Sequence, residues 1–206
     1  EPTLAQRIVR AKRKIRDAHI PLSIPADLDG RVDVLLGVLY LVFNEGYLSR
    51  GAHPSVVRVD LVDEAIRLTE LLVGLLPESA ETRGLLAMEL YHSSRIGTRL
   101  DLAGDLVLLE DQDRTRWDLA AVRRANAILS DALARMRPGP YQLQAIIAGH
   151  HANARTAADT DWSAIAALYR QLADMTGSAV VRLNHAVAVA MADGPLAGLA
   201  LLREIS

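Results

Sequence analysis

Leu4, Ile8, Ala11 and Ile15 fall at i, i+4, i+7 and i+11, the spacing that gathers apolar side chains on one face of an α-helix. The same period continues along almost the whole chain, and alternation of period two is nowhere sustained. A first helix is predicted to open at Pro2 and Thr3. Pro21 and Pro25 make the segment from His19 to Leu28 a linker. Helices are then expected over about 30–46, 59–76, 79–95, 117–136, 141–154, 161–175 and 179–192, with a last one opening at Pro195, a favoured first-turn residue. Gly51 and Pro54 read as a loop spanning 47–57. The stretch 96–116 is an insertion, expected to be partly buried through Leu102, Leu106, Leu108 and Leu109 and charged at its end, Glu110-Asp111-Gln112-Asp113-Arg114-Thr115-Arg116.

Short connections predict antiparallel helix neighbours, and the small residues hint that the pairs repeat. Leu36-Gly37 followed by Tyr40 matches the first-helix signature of a tetratricopeptide unit, whose period is about 34 residues. Asp63-Glu64-Ala65-Ile66 matches its second helix, and Pro77 stands twelve residues after Ala65. Leu86-Ala87 with Leu90, Asp161-Trp162 with Tyr169, and Ala186 with Gly198 continue the series. The steric logic is that a small residue lets one helix axis approach another. The fold expected is therefore all-α: antiparallel helix pairs in a tetratricopeptide-like right-handed solenoid, preceded by a single basic helix. An irregular helical bundle is the alternative that the long stretches 47–57 and 96–116 keep open.

Composition supports helix over sheet. Half of the 206 residues are hydrophobic, yet there are only one Phe, two Trp and five Tyr, so Ala and Leu carry the core. The absence of cysteine excludes disulfides, thiolate metal sites and a Cys nucleophile. No apolar run approaches the roughly 20 residues that span a bilayer. A soluble, cytoplasmic, non-membrane protein is expected. A chain that starts at Glu1 is also expected to be a piece of something longer.

The net charge of −2 hides an asymmetry. Arg7, Arg10, Lys12, Arg13, Lys14 and Arg16, including both lysines of the chain, face only Glu1 and Asp17 within the first 17 residues. With the apolar stripe inward, Thr3, Gln6, Arg7, Arg10, Arg13 and Lys14 point outward. Gln and Arg at a helix start can bond base edges in a major groove, and Arg and Lys further along can hold phosphates. The bland alternative is a solvated basic helix.

That segment resembles the recognition helix of the C-terminal helix-turn-helix in bacterial RNA polymerase sigma factors of the extracytoplasmic-function type, with Thr3, Gln6, Arg7, Arg10, Ala11 and Arg16 in comparable places. The rest is similar to the tetratricopeptide-containing C-terminal extension of one such family. The matching runs are Leu39-Tyr-Leu-Val-Phe-Asn-Glu-Gly-Tyr47, Leu106-Val-Leu-Leu-Glu-Asp-Gln-Asp-Arg-Thr-Arg-Trp-Asp118, Gly139-Pro-Tyr-Gln-Leu-Gln144 and Asn184-His-Ala-Val-Ala-Val-Ala-Met191. The resemblance implies a recognition-helix remnant over 1–18, a linker over 19–29 and the extension over 30–206. It implies a role in transcription initiation and regulation. The implied partners are the RNA polymerase core, the sigma factor's own N-terminal regions, a regulatory protein or peptide, and promoter DNA through the basic helix once the helix-turn-helix is complete. The family's polymerase-binding N-terminal region and the first helix of the helix-turn-helix are not in this sequence.

Chemistry is expected to be binding, without cofactor. Asp101, Asp105, Glu110, Asp111 and Asp113 lack the spacing of a cation loop, and Arg114 and Arg116 are ready partners for them. His150 and His151 are adjacent on a helix, point about 100° apart and do not make a metal pair. No Gly-rich phosphate loop, nucleophile–base arrangement or paired-carboxylate motif appears, so an enzyme is not expected. Asn44-Glu45 can hold a ligand or simply cap backbone groups. The groove and the matched runs together single out Asn44, Glu45, His92, Arg95, Glu110, Gln112, Asp113, Arg114, Trp117, Tyr141, Gln144 and Asn184 as partner-binding candidates. The rival reading is a free-standing helical-repeat adaptor that takes a peptide or small ligand in its concave groove.

Overall fold

The computed structural model describes residues 6, 9–10, 13–14, 16–18, 29–47 and 57–205. Two compact units divide the chain, residues 1–35 and 36–206. In the first, Gln6, Arg10, Arg13 and Lys14 are helical and exposed, as the outward face requires. Arg13 Nε lies 3.4 Å from Asp17 one turn on. Thr3, Arg7, the inward stripe, most of the linker and positions 48–56 lie outside the described residues.

From residue 29 onward eight α-helices follow: α1 (Asp29–Tyr47), α2 (Val59–Leu75), α3 (Ala80–Ser93), α4 (Leu119–Ala134), α5 (Pro140–Asn153), α6 (Trp162–Thr176), α7 (Ala179–Asp193) and α8 (Pro195–Leu202). Among the described residues there is no β-strand, only one antiparallel bridge between Leu100 and Leu106. The protein is all-helical. No described helix is long and apolar enough to cross a membrane.

The helix starts are set by short polar side chains. Ser79 accepts from Thr82 N, Asp118 from Ala120 N and Ala121 N, Asp161 from Ala164 N, and Ser178 from Val181 N. Each satisfies a backbone donor that the first helical turn leaves free.

Helix α3 is the centre of the second unit. It is buried from Gly84 through Tyr91 without a break, and it packs on both α4 and α5. Its crossing with α5 is tight: a Cβ on Gly84 would stand 2.6 Å from Gln142 N. Phe43 and Tyr47 of α1 pack with Val62 and Ala65 of α2. Leu143 and Ile147 of α5, Ile165 and Leu172 of α6 and Ala188 of α7 form a second cluster.

The expected small contact pair Ala186–Gly198 is a real crossing of α7 and α8, since a Cβ on Gly198 would lie 2.6 Å from Ala186 O. Gly37 is different. A Cβ there would meet nothing within 4 Å, so the first signature does not mark a close approach among the described residues. The insertion corrects an expectation in part: Leu109 is half-buried as expected, but Leu102, Leu106 and Leu108 are exposed, Leu102 fully. Its buried anchors are polar residues instead.

Candidate functional site

The insertion is not slack chain. It leaves α3 at Ser94, whose hydroxyl donates to Tyr91 O (2.7 Å). It returns beside it, where Asp118 N donates to Ser94 O (2.8 Å). The bridge at Leu100 and Leu106 is extended by Val107 N to Arg99 O at 2.8 Å. Asp101 Oδ1 accepts from Ala103 N and Asp105 N, which makes the turn.

The closure is held by a buried polar staple. Trp117 Nε1 donates to Thr98 Oγ1 (3.0 Å). The Thr98 hydroxyl passes its single proton to Arg95 O (3.0 Å), with Gln112 Oε1 3.3 Å away. Gln112 Nε2 donates to Val107 O (3.1 Å). Trp117, Thr98 and Gln112 are each less than a tenth exposed. Their bonds are accordingly shielded from competing water.

Arg114 joins the insertion to α5. Its Nη1 donates to His151 O (2.6 Å) and Ala154 O (2.9 Å), carbonyls at the C-terminal end of that helix. A cation is favoured there by the helix dipole as well as by the free carbonyls. The guanidinium also stands 4.7 Å from the Trp117 ring, and the His151 ring meets Trp162 edge-on at 5.1 Å.

A cationic and aromatic group lies next to the staple. Arg99 Cζ is 3.7 Å and Arg95 Cζ 5.6 Å from the centre of the Tyr47 ring, both within cation–π range. Tyr47 stacks on Phe43, and His92 packs against both rings. Arg95 Nη2 is 3.3 Å from His92 Nδ1. Burial, then the charges of Arg95 and Arg99, hold the His92 imidazole neutral, well below its ordinary pKa. Burial, Arg95 and Arg114 push His151 down to about 4. Both rings are therefore uncharged at neutral pH.

The structure thus brings His92, Arg95, Gln112, Arg114 and Trp117 together at the C-terminal end of α3. The other candidates stand outside that cluster. Asn44 is half-buried and Glu45 exposed on α1. Glu110 and Asp113 are exposed, and Asp113 Oδ1 accepts from Thr115 N and Oγ1. Tyr141 packs on Tyr40 at 5.9 Å between ring centres. Gln144 Nε2 donates to Pro140 O within α5, and Asn184 is exposed on α7. No group of three or more His, Asp or Glu able to hold a metal ion occurs among the described residues.

Three features escaped the sequence reading. Glu81 of α3 clamps the start of α5, accepting from Tyr141 N (2.8 Å), Gln142 N (3.1 Å) and Gln142 Nε2 (3.0 Å). Glu89 is fully buried, and burial raises its carboxyl pKa to about 8. Tyr91, Asn126 and Asn153 form a side-chain network, with the two amides bonded reciprocally at 2.9 and 3.0 Å. That network sits in an open groove of about 480 Å³ with an apolar wall of Leu129, Leu133 and Ile146. For Glu89 a signal existed: it is a lone carboxylate in the otherwise apolar run of α3.

Comparison with known proteins places the chain without giving it an activity. It is 44% identical over 207 residues to an uncharacterized protein of Rhizobium meliloti (strain 1021), all of this chain being covered and 49% of that protein. The chain therefore spans about half the length of the curated relative it matches. No solved structure matches it. The family model described as a family of unknown function, DUF6596, matches residues 31–133. That is half of the chain, and the protein belongs to this family.

Proposed function

We propose that this chain is the C-terminal regulatory and protein-interaction region of a bacterial sigma factor that acts in transcription initiation. The observation that carries the reading is the resemblance of its four sequence runs to that extension, together with a basic recognition-type helix ahead of them. The run 106–118, one of the two most particular of the four, supplies Gln112, Arg114 and Trp117 to the junction. The Rhizobium relative has as many residues outside the matched region as within it, which is room for polymerase-binding and promoter-reading parts in a protein of that length.

In this reading the helices pair as a modified tetratricopeptide array. The packing of α3 on both α4 and α5 suits that arrangement, as does the Ala186–Gly198 crossing. The region acts by binding, not by catalysis, in the cytoplasm where the polymerase is. Its partners are the polymerase core or the sigma factor's own N-terminal regions. The exposed cations Arg10, Arg13 and Lys14 reach promoter DNA only as part of a complete helix-turn-helix. Co-purification of the isolated chain with core polymerase and with the separate N-terminal sigma regions tests the proposal, and transcription by a full-length protein lacking residues 30–206 tests the regulatory claim.

The second reading, a free-standing adaptor, is favoured by the 480 Å³ groove. Its asparagine pair and apolar wall have the mixture that a peptide backbone and side chain need. Finding no sigma-type region encoded upstream of Glu1 would decide for it.

A further inference from the structure

Six arginines of the described residues pair with carboxylates: Arg13, Arg58, Arg67, Arg83, Arg124 and Arg135. Arg95, Arg99 and Arg114 do not, although Arg99 is only 8% exposed and its Nε has no hydrogen-bond partner. The three are near enough to one another for Arg99 and Arg114 both to oppose the charge on Arg95. Asp159 is the one carboxylate whose attraction reaches Arg114. Buried positive charge without a counter-charge is costly, and among the described residues no carboxylate pairs with Arg95 or Arg99.

A small cavity adjoins this group. Tyr91, His92, Arg95, Trp117, His151 and Ala152 line it, and its volume is about 20 Å³. That is room for a single occupant of water size. His151 Nδ1 is buried and unpartnered, and Arg95 brings guanidinium N–H groups that only ever donate. A water would fit but would leave the charge uncancelled.

We propose that this cavity is a site for one monatomic anion, chloride in ordinary solutions, held at the junction of α3, α5 and the insertion by Arg95 and by His151 in the tautomer that carries its proton on Nδ1. The site is independent of the sigma-factor reading. The bound ion supplies a counter-charge to Arg95, whose charge Arg99 and Arg114 oppose. It ties the end of α3 to α5 in the way a buried carboxylate ties two helices.

The test is thermal unfolding of the 206-residue chain in sodium chloride and in sodium gluconate at equal ionic strength, with iodide quenching of tryptophan fluorescence as a second readout. The site predicts a saturable rise of Tm in chloride over gluconate, and saturable quenching because Trp117 lines the cavity. Two variants separate the site from general salt effects. Arg95→Gln removes the charge. Ala152→Met fills the space and leaves every charge in place, so it decides the matter if Arg95→Gln does not fold. Both are expected to lose the chloride response. Equal Tm in the two salts for the unsubstituted chain, or a response that survives Ala152→Met, overturns the proposal.

Discussion

Glu89 shows what one residue can impose on the whole domain. Its side chain sits inside α3 with Thr69 Oγ1 3.2 Å from Oε1, and Oε2 has no partner. The Thr69 hydroxyl has one proton and two acceptors, Ala65 O at 2.9 Å and Glu89 Oε1; given to Ala65 O, it leaves the hydroxyl oxygen open to accept. A protonated Glu89 can then donate to the Thr69 oxygen, which a carboxylate cannot. Burial raises the pKa to about 8 from an ordinary 4.5, against the lowering effect of the Thr69 hydrogen bond and with a smaller push from Glu70. Because the folded value is the higher one, folding takes up a proton between these limits. The stabilising contribution is complete below about pH 4.5 and is lost as pH rises to about 8. The span corresponds to a few kcal/mol in order of magnitude. Glu89→Gln keeps the shape and removes the titration. Urea midpoints from about pH 5 to about pH 9 are expected to fall for the unsubstituted chain relative to the variant. Parallel curves would show that Glu89 is ionised in the fold.

At the scale of elements, two contacts decide how the helices are held. Gly84 lets α3 approach α5 until only hydrogen fits, and the opposing atom, Gln142 N, is backbone and cannot swing aside. Gly84→Ala is expected to destabilise by about 1–3 kcal/mol, the usual range for forcing a methyl into a full contact. Unchanged denaturation would mean the crossing can open freely. Trp117 anchors the insertion through its packing and its bond to Thr98. Trp117→Ala is expected to cost about 3–5 kcal/mol and to make the segment 96–116 the first site of limited proteolysis. Cleavage elsewhere first would remove the staple from its assigned place.

The contrast between these contacts explains what was legible in the sequence. The helices could be read to within a few residues because their period, their Ser and Asp caps and the prolines are local signals. The Ala186–Gly198 crossing was legible for the same reason. The burial of the insertion was misread, because Leu102, Leu106 and Leu108 suggested an apolar anchor while the anchors are Thr98, Gln112 and Trp117. Five members of the site, His92, Arg95, Gln112, Arg114 and Trp117, stood among the candidates. Tyr47, Arg99 and His151 did not, since they join the site through tertiary contacts across α1, α3 and α5 that no periodicity records, and the Glu81 clamp at the other end of α3 is tertiary in the same way.

At the scale of the molecule, a helical scaffold presents a stapled, cation-rich junction, and the function proposed for it is that of a sigma-factor extension. The basic helix exposes Arg10, Arg13 and Lys14, and a recognition helix needs its supporting helix to give promoter specificity. Function is thus expected to lie in protein contacts made by residues 30–206. The most direct test measures binding of the purified chain to core RNA polymerase and to the N-terminal sigma regions, paired with in vitro transcription by the full-length factor with and without residues 30–206. The account predicts saturable binding to at least one of these partners and altered transcription on deletion. No binding to either, together with unchanged transcription, would contradict it.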